Sequence, residues 1–188
     1  FLNIEKNEEN YGGFSGIEIS NDGLEILIIS DKSFFFRIKL LRDENQNLKD
    51  FSIISRGRLL SSKGEVLDRR NTDSESIVKD SNGFYYVSFE SNNRIMLHKT
   101  IEGKAKFLKK HQDFKKLGSN KGIEALAIDK NDRILAIPEK PPKGKTLLPI
   151  YRYEQNAWSI IKKINIIEDF LVTGAEFISD NKLLLLER

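Results

Sequence analysis

Four similar segments recur along the sequence, and in each of them a tight turn joins two short apolar runs. Asparagine and glycine in such turns accept the positive φ that a hairpin connection requires. Each segment is therefore predicted to be a β-hairpin. The turns are Asn21-Asp22-Gly23, Ser81-Asn82-Gly83, Asn131-Asp132 and Asp180-Asn181.

A glutamate opens each segment and an acidic residue closes it. Both markers recur at intervals of roughly 50 residues, and further strand-like runs follow each hairpin. Four antiparallel strands in a repeat of about 40–50 residues are typical of a propeller blade. The opening residues are Glu18, Glu75, Glu124 and Glu176, and the closing residues are Asp31, Glu90, Glu139 and Glu187.

The repeat predicts an all-β fold, a β-propeller of four-stranded antiparallel blades, with about four blades in a single domain over residues 1–188. A meandering β-sandwich with accidentally similar hairpins is the alternative. Propellers close with about 4–8 blades, whereas this sequence ends at Arg188, after the second strand of its fourth unit. We therefore expect a larger, six-bladed propeller, incomplete here at the C-terminus. The rest of the chain or another chain would supply the missing blades.

Composition excludes several kinds of site. The sequence has no cysteine, which rules out disulfides, thiolate metal sites and a cysteine nucleophile. No apolar run approaches the roughly 20 residues that span a bilayer. The net charge of +3 is too small to indicate a partner by itself. Because the sequence begins with Phe1, we expect a processed product from which any signal peptide is already gone.

Several motifs resemble those of the phytase-like family of β-propellers, the "esterase-like activity of phytase" family. They are Gly12-Gly13-Phe14-Ser15-Gly16, Asp73-Ser74-Glu75-Ser76-Ile77, Gly122-Ile123-Glu124-Ala125-Leu126 and Leu186-Glu187-Arg188. The resemblance implies a propeller fold, a periplasmic or secreted location and phosphoester hydrolase activity. The sequence departs from the family pattern before the second glutamate, where the usual aspartate appears as Asp73-Ser74, and in lacking the final blades.

Antiparallel geometry predicts where the repeated acids lie. The start of the first strand of a hairpin lies beside the end of the second, about 5 Å away. Glu18 is thus expected beside Asp31, and the same argument applies to the other three units. Since the inner strands of a propeller run parallel around the axis, all eight acids are expected around one mouth of the central channel.

Eight converging carboxylates cannot all stay ionised without partners, because like charges raise their pKa values. Three remedies remain open: a bound Ca²⁺ ion, pairing with basic residues, or hydrogen bonds from backbone N–H groups of the adjacent blade. No segment matches a dedicated calcium loop. Basic residues follow the closing acids closely, at Lys32, Arg94, Lys140 and Arg188.

The sequence leaves the catalytic residues undetermined. Ser15 does not lie in a nucleophile elbow, and neither His98 nor His111 belongs to a repeated motif. A lysine-rich stretch over residues 104–121 either attracts a polyanion or is a solvated loop. Nucleic-acid binding is not expected, because no recognised module is present. The residues expected to contact an anionic substrate are Arg37, Arg94, Lys121 and Arg188.

Two functions are therefore carried forward. The first is a Ca²⁺-assisted hydrolase of a small-molecule phosphoester, acting at the acidic mouth, with Glu75, Glu90, Glu124 and Glu139 as the preferred ligands. The second is a non-catalytic propeller that binds a protein, peptide or glycan.

Overall fold

The computed structural model describes residues 11–119, 121–167 and 170–188, and antiparallel strands dominate it. One short 3-10 helix, Gln112–Lys116, interrupts them. Within those ranges, no helix has the length and apolar character needed to cross a bilayer. The strands are β1 (Phe14–Ile19), β2 (Glu25–Ser30), β3 (Phe34–Arg42), β4 (Leu48–Arg58), β5 (Ser74–Lys79), β6 (Tyr85–Phe89), β7 (Arg94–His98), β8 (Ala105–Phe107), β9 (Ile123–Ile128), β10 (Ile134–Pro138), β11 (Leu148–Glu154), β12 (Ala157–Ile164), β13 (Val172–Ser179) and β14 (Lys182–Glu187).

The strands form successive blades in chain order. Strands β1–β4, β5–β8 and β9–β12 each make a four-stranded antiparallel sheet, and β13 pairs with β14. The first strand of each blade packs beside the first strand of the next, so β1, β5, β9 and β13 are the inner strands. The predicted β-propeller of four-stranded antiparallel blades is confirmed.

Apolar side chains fill the spaces between blades. Ile29 and Phe35 of the first blade pack with Val87 and Phe89 of the second, and all four are almost completely buried. Every residue of β10 is buried. Because neighbouring blades cover both faces of such a strand, it shows little polar–apolar alternation.

Side-chain hydrogen bonds also join the first two blades. The fully buried Ser74 hydroxyl donates to the carbonyl of Ser30 at 2.7 Å. In return, the Ser15 hydroxyl donates to the carbonyl of Ser74 at 2.5 Å. These bonds fix the two inner hairpins relative to each other at the end of the channel where β5 begins.

We expect Ser74→Ala to lower the free energy of unfolding by about 1 kcal/mol, because it removes a buried hydrogen bond between the first two blades, while the Ser30 carbonyl keeps its bond from the Ser33 N–H. Denaturant unfolding monitored by fluorescence measures the loss. Ser159→Ala on the exposed face of β12 is the control and should change stability by less than about 0.5 kcal/mol. Equal effects of the two substitutions would contradict the role given to Ser74.

All four inner hairpins carry a β-bulge at the same place. One extra residue enters the inner strand shortly after it starts, at Ser15, at Glu75-Ser76, at Glu124 and at Thr173. Just before each bulge, the residue that precedes the inner strand accepts a hydrogen bond at its carbonyl. The donor is the N–H of the residue that follows the second strand of the hairpin. These bonds join Asp31 to Gly13, Glu90 to Asp73, Glu139 to Gly122 and Arg188 to Leu171.

Candidate metal centre

Three carboxylates of the second blade converge at the mouth of the channel. Asp73, Glu75 and Glu90 each offer one oxygen, and these oxygens lie within 4.8 Å of one another. Asp73 precedes β5, Glu75 lies at the bulge, and Glu90 follows β6. The Glu90 N–H donates to the Asp73 carbonyl at 2.8 Å. The bulge and this bond therefore bring acids from both strands to one point.

The third blade adds Glu124 and Glu139 to the same place. Glu124 occupies its bulge and shares a side-chain hydrogen bond with Glu90. Glu90 is only 6% exposed, and its Oε1 accepts from the Gly122 N–H at 2.6 Å. The buried Oε2 of Glu139 has no hydrogen-bond partner among the described residues. We call these five residues, Asp73, Glu75, Glu90, Glu124 and Glu139, the acid site.

Burial is the main cause of the shifted pKa values in the acid site. It raises the pKa of Glu75, and the nearby Asp73 and Glu90 raise it further. Burial likewise raises the pKa of Glu124, followed by its hydrogen bond to Glu90. Hydrogen-bonded carboxyl groups of this kind need a shared proton or a cation between them. In the folded chain, Glu75 and Glu124 therefore favour the protonated form more than free carboxyl groups do.

The predicted pairing of Glu75 with Glu90, and of Glu124 with Glu139, agrees with this geometry. The predicted pairing of Glu18 with Asp31 is wrong. Glu18 lies opposite Leu27 in β2, deeper along the channel, whereas Asp31 bonds to Gly13. Asp31 is exposed and remains close enough to the acid site to raise the pKa of Glu75.

The pairing predicted for the fourth unit is wrong for the same reason. Glu176 lies opposite Leu184, and Glu187 lies opposite Val172. When the four units are aligned by strand register, Glu18 and Glu176 lie three positions after the residues that occupy the bulge. The residues at the bulge in those units are Ser15 and Thr173.

Glu18 instead lies near Glu176, away from the acid site. The pKa of Glu18 is raised to about 7, chiefly by burial and next by Glu176, while Lys79 opposes the shift. The eight predicted acids therefore do not share one rim: Glu75, Glu90, Glu124 and Glu139 belong to the acid site, with Asp31 near them.

Three of the basic residues that the sequence analysis singled out lie near Glu139. Arg188 takes the position in the fourth blade that Asp31, Glu90 and Glu139 take in the others. Burial raises the pKa of Glu139, while Lys121, Lys140 and Arg188 lower it. The acid site is thus bordered by positive charge on the side of the third and fourth blades.

The other two predicted substrate contacts are not placed as expected. Arg37 lies on β3 opposite Leu27 and faces Glu102, with a nitrogen–oxygen distance of 3.8 Å, so it is away from the mouth. Arg94 is 2% exposed and lies over the ring of Phe89 at 4.1 Å. A buried side chain of this kind interacts electrostatically with Asp68 and Asp73 and is poorly placed to meet a substrate.

No nucleophile–base pair lies at the acid site in the described parts of the chain. His98 is fully buried, with its Nδ1 3.1 Å from the Gly103 carbonyl oxygen. His111 accepts from the Asp113 N–H and contacts the Tyr151 ring. The Ser15 hydroxyl is engaged by the Ser74 carbonyl. Nucleophilic catalysis by these groups is therefore not favoured.

Asp73 belongs to the acid site but is neither an opening nor a closing acid of the repeat. It precedes Glu75 by two positions, and Gly122 takes the corresponding place in the third unit. Since no other unit has an acid there, the repeat gave no reason to choose it. The signal that was available is the spacing Asp73-x-Glu75, which brings two carboxylates together once a bulge separates them.

Similar solved structures differ greatly from this chain in sequence. A protein of unknown function from Bacteroides thetaiotaomicron aligns with a TM-score of 0.59 at 8% identity, over 92% of this chain and 44% of that one. Virginiamycin B lyase from Staphylococcus aureus aligns at 0.53 and 13% identity, over 93% and 63%. Its catalytically inactive variant with quinupristin aligns at 0.50 and 14%, over 92% and 48%. The chain spans less than two thirds of each, and the likeness concerns the fold alone.

The family comparison is more specific. No curated protein matches the sequence. A family model described as "Phytase-like: Esterase-like activity of phytase" matches residues 9–188, which is nearly the whole sequence. The match includes the acid site and all four inner hairpins. The chain therefore belongs to the phytase-like family.

Proposed function

We propose that the chain acts as a Ca²⁺-assisted hydrolase of phosphoesters at the acid site. One observation carries this proposal: oxygens of Asp73, Glu75 and Glu90 lie within 4.8 Å of one another. Glu124 adjoins them through Glu90. Carboxylate oxygens in such numbers are the ligands that Ca²⁺ prefers.

The residues fit a hard divalent cation in three respects. All the donors are oxygen atoms, with no sulfur or imidazole among them. After burial, neighbouring carboxylates raise the pKa values of Glu75 and Glu124, and a cation bound between them would relieve that repulsion. The buried Oε2 of Glu139 accepts no hydrogen bond from the described residues and is free to bind a cation.

The acidic and basic residues of this region would then have different roles. Asp73, Glu75 and Glu90 would hold the cation, and the bond from Gly122 to Glu90 fixes one of these carboxylates. The chemistry that bound Ca²⁺ supplies is neutralisation of phosphate charge and activation of water. Lys121, Lys140 and Arg188, which border Glu139, would contact the phosphate oxygens.

Location forms part of the proposal. The family resemblance points to the periplasm or the exterior of the cell. Extracellular calcium modules bind with dissociation constants of about 10⁻⁴–10⁻³ M, so a site with few protein ligands suits that environment. A small-molecule phosphoester is the substrate class.

Calcium titration with a thermal-unfolding readout tests the proposal. At about 100 times the dissociation constant, Ca²⁺ should stabilise the chain by about 2.7 kcal/mol. Glu75→Gln should abolish that stabilisation and lower hydrolysis of p-nitrophenyl phosphate by about 100-fold or more, since the cation's contribution is lost.

Glu18→Gln is the matched control, because it makes the same change on an inner strand outside the acid site. It should keep both the calcium response and the activity. A wild-type chain that Ca²⁺ does not stabilise, or a Glu75→Gln variant that keeps the full response, would refute the assignment.

A second candidate is a non-catalytic binding propeller for a protein, peptide or glycan. The observation that favours it is the placement of both histidines outside the acid site. This candidate predicts that phosphate and carboxyl esters are not turned over even when Ca²⁺ stabilises the chain. Measured hydrolysis that depends on Glu75 would eliminate it.

A further inference from the structure

Two loops meet beside the acid site on the third blade. One connects β8 to β9 and the other connects β10 to β11. The Lys143 N–H donates to the Lys116 carbonyl at 3.2 Å, which joins the loops. We call their basic residues the lysine surface: Lys109, Lys110, Lys115, Lys116, Lys121, Lys140, Lys143 and Lys145.

The lysine surface has little negative charge to balance it. Asp113 and Glu139 are the acids in residues 108–121 and 139–147. Among the described residues, Asp113 forms an ion pair with Lys116 at 3.6 Å. Burial lowers the pKa of Lys110, and the neighbouring charges of Arg94 and Lys115 lower it further. This crowding of like charges favours a bound anion.

The surface is elongated and leads to the acid site. At its outer end, the Trp158 indole N–H of β12 donates to the Lys109 carbonyl at 2.6 Å. At its inner end, Lys121 and Lys140 act on Glu139. Three inter-strand spacings separate β12 from β9, which corresponds to about 14 Å. A single phosphate is too short to use this length.

The nearby aromatic rings are engaged with one another: the half-buried Trp158 packs against Phe114 and Tyr153, with ring centroids 5.3 and 4.9 Å away. Phe114 is 2% exposed and Tyr151 is fully buried, and the two rings pack against each other with centroids 5.3 Å apart. Single-stranded nucleic acids are held largely by bases stacked on open aromatic faces. Lysines act as flexible point charges and recognise phosphate without reading bases.

We infer that the lysine surface binds a linear chain of phosphates that carries no bases, with one end of the chain reaching Glu139. This inference names the substrate class of the proposed hydrolase, and in that respect it rests on the proposed function. The binding itself requires only the lysine surface.

Binding of linear inorganic polyphosphate of about 15 units, measured by calorimetry without Ca²⁺, tests the inference. It should bind about 10-fold or more tightly than pyrophosphate and weaken steeply as salt rises. The Lys115→Glu/Lys143→Glu variant should lose about 10-fold in affinity, and Lys115→Gln/Lys143→Gln should lose less.

The control is Lys39→Glu/Lys49→Glu, which makes the same change in net charge at exposed positions of the first blade. It should lose less than about threefold in affinity. An equal loss in the control, or equal affinity for polyphosphate and pyrophosphate, would overturn the inference. Tighter binding of a single-stranded oligonucleotide of equal charge would overturn it in favour of nucleic acid.

The calcium titration and the polyphosphate-binding measurement give independent results. Polyphosphate binding is measured without Ca²⁺ and without turnover, so a missing calcium response leaves its result readable. Conversely, weak polyphosphate binding leaves the test with Glu75→Gln unaffected.

Discussion

Replacing Gly122 with alanine is expected to lower the free energy of unfolding by about 3 kcal/mol, because overpacking of a filled site and loss of a buried hydrogen bond act together. A Cβ at this position would lie 2.1 Å from Asn93 Oδ1 and 3.2 Å from Glu90 Cγ. Asn93 is 5% exposed and donates to the Gly118 carbonyl, so it cannot move aside cheaply. Denaturant unfolding measures the loss.

The same substitution should remove the calcium response, since Gly122 donates to Glu90 at 2.6 Å. Gly174→Ala is the control: its new Cβ would meet Leu186 at 3.6 Å, an ordinary contact. That change should stay within about 0.5 kcal/mol. If both glycines tolerate alanine equally, the tight approach at Gly122 is not a constraint on the fold.

The melting temperature of the calcium-free chain should fall by several degrees between pH 5 and pH 9. The folded-state pKa values of Glu75 and Glu124 lie above the ordinary value of 4.5, chiefly because of burial. The folded chain therefore holds protons that the unfolded chain releases. This stabilisation is complete below about pH 4.5 and is lost as the pH rises through the folded-state values.

Thermal unfolding at a series of pH values measures this slope. Glu75→Gln/Glu124→Gln should reduce it, because neither replacement titrates, while Glu18, with a pKa of about 7, keeps part of the slope. Glu102→Gln/Glu154→Gln removes two exposed carboxylates elsewhere and should keep it. Saturating Ca²⁺ should also reduce the slope in the unmodified chain, since the cation replaces the protons. A calcium-free melting temperature that rises from pH 5 to pH 9 would contradict the raised pKa values.

The blades were predictable because their determinants are local. Turn residues such as Asn82-Gly83 and the flanking apolar runs specify a hairpin without reference to the rest of the chain. Recurrence of that hairpin then indicates the propeller. The acids of the second and third units were also placed correctly, because their spacing agrees with the register.

The remaining features depend on contacts that the repeat does not encode. A bulge adds one residue without changing the apolar pattern, so the equivalence of Ser15 with Glu75 was hidden. Arg94 has the charge of a substrate contact, but its stacking on Phe89 is a tertiary property. The meeting of the two lysine-bearing loops likewise depends on a backbone bond between distant segments.

The shared bulge separates the chemistry of the channel mouth from the pairing of the strands. An extra residue in a bulge stands outside the regular ladder, so its side chain is not matched to a cross-strand partner. The four blades place serine, glutamate, glutamate and threonine in this slot and keep the same register. The side chain at the bulge can therefore differ from one blade to the next without any change in the strand register that holds it at the channel mouth.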